Sequence, residues 1–463
     1  MFRTTVILFG LSLGLLSSRG KATTYYLDPS SGNDFRAGAQ VNAAWKSLQY
    51  ASSKLYHPGD QILLKAGSVW HGEVLDVATA DEQGEPILIG SYGTGAQPVL
   101  DGASTASSPI ILSNAHDVTI SNLTIQNAST LISIRGGSNI TVRNCILRNA
   151  SVYGVTAGQT TGFRFLNNTY TTTGTFKQIG HVLQVVASVN GVTVSGNRIT
   201  FNQASRGAAG LYIVDVNNAI VSGNTIIGGS QGIGIKGVNR SVTGARVYDN
   251  AVYYSDNTEG DGESIEFTGW KQTPYTVSGS IYHNFIKGGG AITTNAIGAY
   301  QSPNVLCYNN IVIGPMWNAA LHWSKFSPGG LFYGNTIHNV GVAFAVFSGS
   351  SATIRNNIVS KAHAVASVTV PATEDYNIFF ESGPLSSIVR RGVHTTTVNP
   401  RFVSSNPVGP LDVKLQSGSP AIHSGVKLSS ASSKALDPAS TRFPCLSLDQ
   451  VTYGWNRGAF GHK

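Results

Sequence analysis

Val118-Thr-Ile-Ser-Asn122-Leu-Thr-Ile125 is followed by Ile140-Thr-Val-Arg-Asn144-Cys-Ile-Leu147 and then by Val192-Thr-Val-Ser-Gly-Asn197-Arg-Ile199. In each stretch a short alternating run of apolar and polar residues meets an asparagine, and a second run begins beyond it. The same unit returns around Asn168, Asn224, Asn250, Asn284, Asn310, Asn335 and Asn357. Counted from Asn122, successive intervals are 22, 24, 29, 27, 26, 34, 26, 25 and 22 residues. A fixed period in this range is the mark of a repeat architecture. The runs are rich in Val, Ile, Thr and Phe with period-two alternation, and none leaves room for a crossover helix. Asparagine is among the few residues that tolerate the left-handed backbone of a sharp bend, so it is expected to turn the chain between strands. Its amide can also bond to its copies above and below. Each turn can bury its inward Val, Ile and Leu only against its neighbours, which is the logic of a solenoid. The reading is all-β: a right-handed parallel β-helix of about 10–12 coils.

Composition agrees. Of 463 residues, 12% are charged, about half the ~25% of an ordinary soluble domain, while 53 are Gly and 41% are apolar. That leaves material for a long core and little for charged helical bundles. Residues 1–22 differ from the rest. Arg3, the apolar run Val6 to Leu16, and Gly20 and Ala22 read as a secretory signal cut after Ala22, so a secreted location, extracellular or periplasmic, is expected. The run is short for a membrane span. The segment carries three basic residues and no acid, so its removal lowers the net charge from +8 to +5. A mildly basic surface suits an acidic polysaccharide, while the absence of Lys/Arg runs argues against nucleic acid. A monomer with no membrane insertion is expected. Cys145, Cys307 and Cys445 are too few and too widely spaced for a disulfide framework and are read as free, the first two buried in strands.

The two ends break the repeat, as solenoid ends must. Residues 23–100 form the N-terminal cap and first coils, with helical spacing at Trp45, Leu48, Tyr50, Ala51 and Leu55. Residues 101–370 form the repeat body. Residues 371–463, Pro-rich and irregular, hold the last coil and the C-terminal cap. Tyr25-Tyr-Leu-Asp-Pro-Ser-Ser-Gly-Asn-Asp34, Pro58-Gly-Asp-Gln-Ile-Leu-Leu-Lys65 and Tyr92-Gly-Thr-Gly95 resemble the opening of secreted bacterial β-helix repeat proteins of the pectate-lyase-like superfamily. Asn399-Pro-Arg-Phe-Val403, Ser417-Gly-Ser-Pro-Ala-Ile-His-Ser-Gly425 and Arg457-Gly-Ala-Phe460 resemble its tail, with His423 where Asp is usual. These motifs are structural, so the resemblance implies the fold and leaves the reaction to the site.

The resemblance also implies a groove over one sheet, with chemistry on its outward positions. Aligning strands on inward Ile213, Ile235, Ile265, Ile292 and Leu321 predicts an outward row of Val214, Lys236, Glu266, Thr293 and His322. Lys236, Glu266 and His322 are the candidate catalytic residues. An ion pair between Lys236 and Glu266 is the plain structural alternative. Asp256, Glu259, Asp261 and Glu263, with Glu266, put five acids in eleven residues on a Gly-containing loop. Crowded hard oxygen ligands suit Ca²⁺, although the spacing is not that of an EF-hand. The layout is similar to calcium-dependent pectate lyases, but Gln231 stands where their acid would be and a tandem Asp pair is missing. Tyr212, Trp270, Tyr275, Trp317, Trp323 and Thr293 are candidate sugar-binding residues, the aromatic rings as stacking platforms.

Three functions fit these residues. The first is a polysaccharide lyase, using Lys236 or His322 as base and Ca²⁺ to neutralise a uronate during β-elimination. The weakness is Glu266, which favours a charged lysine. The second is a glycoside hydrolase pairing Glu266 with Glu263, Asp261 or Asp215. The third is a non-catalytic glycan-binding β-helix.

Overall fold

The structure, a computed structural model, describes residues 22–462 apart from 83, 106–107, 179, 188–190, 203–204, 206–207, 255–262, 270–273, 290–294, 371 and 388. Residues 1–21 of the expected signal segment therefore lie outside the described residues. The chain winds into a parallel β-solenoid whose turns each contribute strands to three stacks. The first stack is a sheet of fourteen strands, from Thr24–Leu27 to Ala372–Asp375. The second follows the asparagine corner, and the third follows a loop of variable length.

Alternation sends one column of apolar side chains from each stack to the interior. In the first stack Val221, Val247, Ile281, Cys307, Phe332 and Ile354 lie in register and are fully buried. In the second, Ile199, Ile226, Val252, Ile286, Val312 and Ile337 do the same. The third stack aligns Leu183, Leu211, Ile233, Ile265, Ile297, Leu321 and Phe344. Each column is a continuous apolar wall with a rise of about 4.8 Å per turn.

The asparagine repeat serves two purposes, which the structure separates. Asn168, Asn197, Asn224, Asn250, Asn284, Asn310, Asn335, Asn357 and Asn377 form one buried ladder. Asn284 is typical. Its Nδ2 donates to Val247 O (2.9 Å), Tyr282 O (3.0 Å) and Asn310 Oδ1 (3.0 Å), while its Oδ1 accepts from Asn250 N (3.1 Å) and Nδ2 (2.9 Å). The left-handed bend belongs to the residue before the ladder position: Asn167, Asp249, His283, Asn309, Asn356 and Tyr376 all have φ between 52° and 58°. Asn122 (φ 58°) and Asn144 (φ 53°) occupy that bend position and not the ladder, a correction to the sequence reading. Cys145 ends the ladder, its N–H donating to Asn168 Oδ1 at 3.0 Å, and Thr395 Oγ1 closes the other end by accepting from Asn377 N at 3.1 Å.

At the N-terminus a short helix, Leu48–Ser52, is capped by Ser47 and buries Leu48 and Ala51 against the first coils. Leu55 does not share that face. It begins the next strand and is 56% exposed. The C-terminal chain packs a second apolar cluster, including Phe402, Val413, Leu436 and Phe460, against the outward Phe285, Ile311, Ile313 and Ile358 of the second stack. It thus runs back along the solenoid, and Lys434 O accepts from Asn309 Nδ2 at 2.6 Å. The three cysteines are buried and free. Among the described residues no helix is long and apolar enough to cross a membrane.

Candidate functional site

The third stack carries the polar cluster. Its strands Ala209–Val214, Gln231–Gly237, Ile265–Gly269 and Ile297–Tyr300, with the end of Ile311–Ser324, are adjacent turns. Pairing Ile233 with Ile265, Ile297 and Leu321 fixes the rows. Tyr212, Gly234, Glu266, Gly298 and His322 form one outward row, and Val214, Lys236, Thr268, Tyr300 and Ser324 form the next. Lys236 is therefore one outward position further along its strand than Glu266 and His322, opposite Thr268. The strand expected at 291–295 is Ile297–Tyr300, so Ile292 is not the inward partner of Ile265. Thr293 lies outside the described residues. Lys236 is displaced because Ile233, and not Ile235, pairs with Ile265, a slip of two residues; an even slip preserves the face, so all three candidates still project outward.

Two glycines explain how the cluster closes. A Cβ at Gly298 would lie 2.8 Å from Glu263 Cγ and 2.9 Å from a ring carbon of Tyr300. A Cβ at Gly234 would lie 3.3 Å from both Gln231 Nε2 and Lys236 Cε. The turns flanking Glu266 thus give up their own row side chains, and longer ones lean into the space, Gln231 and Lys236 over Gly234 and Glu263 and Tyr300 over Gly298. From one side Lys236 Nζ and Gln231 Nε2 both reach Glu266 Oε2, and Thr268 Oγ1 donates to Oε1. The ion-pair alternative for Lys236 and Glu266 is what the structure shows.

On the other side stands Glu263. Its Oε1 accepts from Tyr300 Oη and from Asn295 Nδ2 (3.3 Å). Asn295 Oδ1 is taken by the N–H of Ala319 (3.1 Å), so its Nδ2 must face His322 Nδ1, 2.7 Å away. That nitrogen is consequently a lone-pair acceptor, and Nε2 carries the ring proton. Tyr300 Oη also lies 3.0 Å from His322 Nδ1. Sequence reasoning missed Tyr300 and Asn295 as members of the site.

Electrostatics sort these groups. Glu263 is 6% exposed, and burial followed by the nearby Glu266 charge raises its carboxyl above the usual carboxylate range. Burial, with Lys325 nearby, pulls His322 down to about 4, so the imidazole is neutral. Burial and Glu263 hold the Tyr300 phenol protonated. One turn before Tyr212, His181 stacks on the Tyr212 ring at 4.3 Å and 3°, and burial with Lys236 lowers it too to about 4.

The other assigned residues separate. Trp323 is an inward core residue with 0% exposure, packed on Phe332 at 4.4 Å, and is no sugar platform, because it follows His322 in the alternation. Trp317 is 70% exposed before the groove portion of its strand, tilted over His363 at 6.3 Å. Tyr275 is half-buried in the chain after Ile265–Gly269. Trp270 lies outside the described residues. So do Asp256, Glu259 and Asp261 of the expected calcium set. Glu263, the fourth, has its Oε1 already taken by Tyr300 and Asn295, and its burial and the nearby Glu266 charge, against the pull of those two donors, raise its carboxyl and oppose a role as an anionic cation ligand. Among the described residues no three His, Cys, Asp or Glu converge as a metal site. Asp215, the other carboxylate considered, accepts from the backbone of Val238 and Asn239 at 2.7 and 3.0 Å and holds a corner.

The family described as "Right handed beta helix region" matches residues 77–199 and 108–273. A curated relative, lacto-N-biosidase of Bifidobacterium longum subsp. longum, is 29% identical over 137 residues, covering 24% of this chain and 9% of that protein. The chain thus spans about a tenth of the length of the curated relative it matches. The PL6 family alginate lyase AlyGC superposes with a TM-score of 0.56 at 13% identity, covering 80% of this chain and 55% of that one. A GH136 lacto-N-biosidase from Eubacterium ramulus gives 0.39 at 15% identity, covering 81% and 66%. At these identities the likeness is one of fold.

Proposed function

We propose that this chain, a right-handed parallel β-helix of the pectate-lyase-like kind, is an exported carbohydrate-active enzyme that hydrolyses a glycosidic bond with Glu263 and Glu266. The observation that carries the reading is the contrast between two carboxyl groups three residues apart. Glu263 is buried among neutral donors and kept protonated to higher pH, whereas Glu266 faces the Lys236 ammonium. Environments that push two acids apart are how one site obtains a proton donor and an anionic partner together. Glu263 gives its proton to the departing glycosidic oxygen. The Glu266 carboxylate, oriented by Lys236, Gln231 and Thr268, activates water or attacks the anomeric carbon. Lys236, bound to that carboxylate, is ill placed to act as a base. The curated lacto-N-biosidase relative is in keeping with a hydrolytic reaction.

A second reading has its own support. The neutral His322 imidazole and the protonated Tyr300 hydroxyl lie 3.0 Å apart, a base and an acid suited to β-elimination on an acidic polysaccharide. Incubation of the chain with neutral and uronate-containing glycans separates the two. Hydrolysis gives new reducing ends without ultraviolet-absorbing products, and both Glu263→Gln and Glu266→Gln abolish it. An unsaturated uronate chromophore that survives Glu266→Gln and disappears in His322→Asn would replace the hydrolase with a lyase. Calcium enters neither scheme.

A further inference from the structure

A cavity of about 310 Å³ lies away from the groove, between the second stack and the returning C-terminal chain. It is lined by His338 and Ser360 on the solenoid side, Phe402 on the C-terminal side, and Lys361, Arg401 and Glu381 at its mouth. His338 is 4% exposed, and its Nδ1 is buried without a hydrogen-bond partner. A buried, unpaired ring nitrogen is costly, and such groups in native structures ask for an explanation. Its ring stands edge-on to Phe402 at 6.4 Å. Burial, with Lys361 and Lys287 nearby, lowers it to about 4, so the imidazole behind the cavity wall is neutral. Arg401 is anchored through one guanidinium nitrogen to Gly418 O at 3.1 Å, which fixes its fork at the mouth.

We propose that this cavity is a second ligand site that takes a single pyranose bearing a carboxylate. The wall chemistry matches that ligand part by part. Phe402 and the His338 ring offer an apolar wall, the Ser360 hydroxyl suits a ring hydroxyl, and Lys361 and Arg401 meet the carboxylate. Glu381 accepts from a further hydroxyl and discriminates against polyanions. The volume exceeds that of one sugar ring and leaves room for bridging water. Nothing in this inference depends on the acid pair of the groove.

The test is saturation-transfer NMR and calorimetry on the full chain with D-glucuronate, and with D-glucose as the uncharged control. Saturable glucuronate binding is expected, weakened about tenfold by Lys361→Gln or Arg401→Gln, as for loss of a charge-assisted hydrogen bond. The His338 ring resonances should shift on titration, and Glu266→Gln should leave the binding unchanged. Both mouth residues are exposed, so these variants should fold. Equal binding of glucose, no saturable binding, insensitivity to both mouth variants, or loss in Glu266→Gln would each overturn the assignment.

Discussion

Replacing His322 by Asn tests the protonation logic of the groove directly. Asparagine can place Oδ1 near the site of Nδ1 and still accept from Asn295 Nδ2, but it cannot titrate. In the native chain the ring is lowered from 6.5 to about 4, so between those values the unfolded chain binds the proton and the folded one resists it. Stability from this group is therefore full above the unfolded value and is lost as pH falls toward the folded one. At pH 5 the unfolded ring is almost wholly protonated and the native ring about one-tenth so, which costs the fold about 2 kcal/mol relative to pH 7.5. His181 and His338 are lowered to the same level and add comparable losses, so the variant should remove about a third of the combined effect. Urea unfolding at the two pH values, followed by intrinsic fluorescence, gives the difference. The reasoning fails if wild type and variant lose the same stability on acidification, or if the His322 resonance titrates near 6.5.

Other perturbations probe different links. Glu263→Gln should remove a stability cost that grows as pH rises above the ordinary carboxylate value of 4.5, because the raised native group resists ionisation; denaturation at pH 5 and 8 reads this. The same change should reduce turnover by about 10²–10⁴-fold as a general acid is lost, measured by reducing-end release. Gly298→Ala forces a Cβ within 2.8 Å of Glu263 Cγ and should cost about 1–3 kcal/mol while lowering activity, read by thermal unfolding and the same assay. Asn284→Ala leaves the buried Asn250 N–H without its acceptor and should cost about 1–3 kcal/mol, whereas Asn144→Gly at an exposed left-handed position should change stability by less than about 0.5 kcal/mol. Chemical denaturation of the two asparagine variants side by side checks the pair.

The solenoid was legible because its cause is written in every turn: alternation fixes inward and outward, and each asparagine corner marks a new winding. The site was legible only in part. Lys236, Glu266 and His322 stand on the outward face, as alternation requires, but the row of Lys236 depended on whether Ile233 or Ile235 pairs with Ile265, and the finding of Tyr300 on where the next strand began. Ala291-Ile-Thr-Thr-Asn295 alternates as convincingly as Ile297-Gly-Ala-Tyr300, and period two cannot choose between them. The better signal was the echo between Ile233-Gly-Ile-Lys236 and Ile297-Gly-Ala-Tyr300, which would have found Tyr300. Trp323 was assigned to the groove by its proximity to His322, although its own place in the alternation put it inside. The leaning of Glu263 and Gln231 into space left by glycines depends on side-chain reach, which strand periodicity does not carry.

Because Gly234 makes room for Gln231 and Lys236 to reach Glu266, and Gly298 for Tyr300 and Glu263 to meet, the reactive centre is assembled by three consecutive windings and by no single one. Such a centre behaves as a cassette. Windings outside it could be added or deleted as whole units, since each presents the same apolar columns above and below, and the cluster would travel intact. Excising one winding from within would leave neither carboxyl group with its full set of partners. The same trio of windings, transplanted into another parallel solenoid with matching columns, should carry its chemistry to a new host.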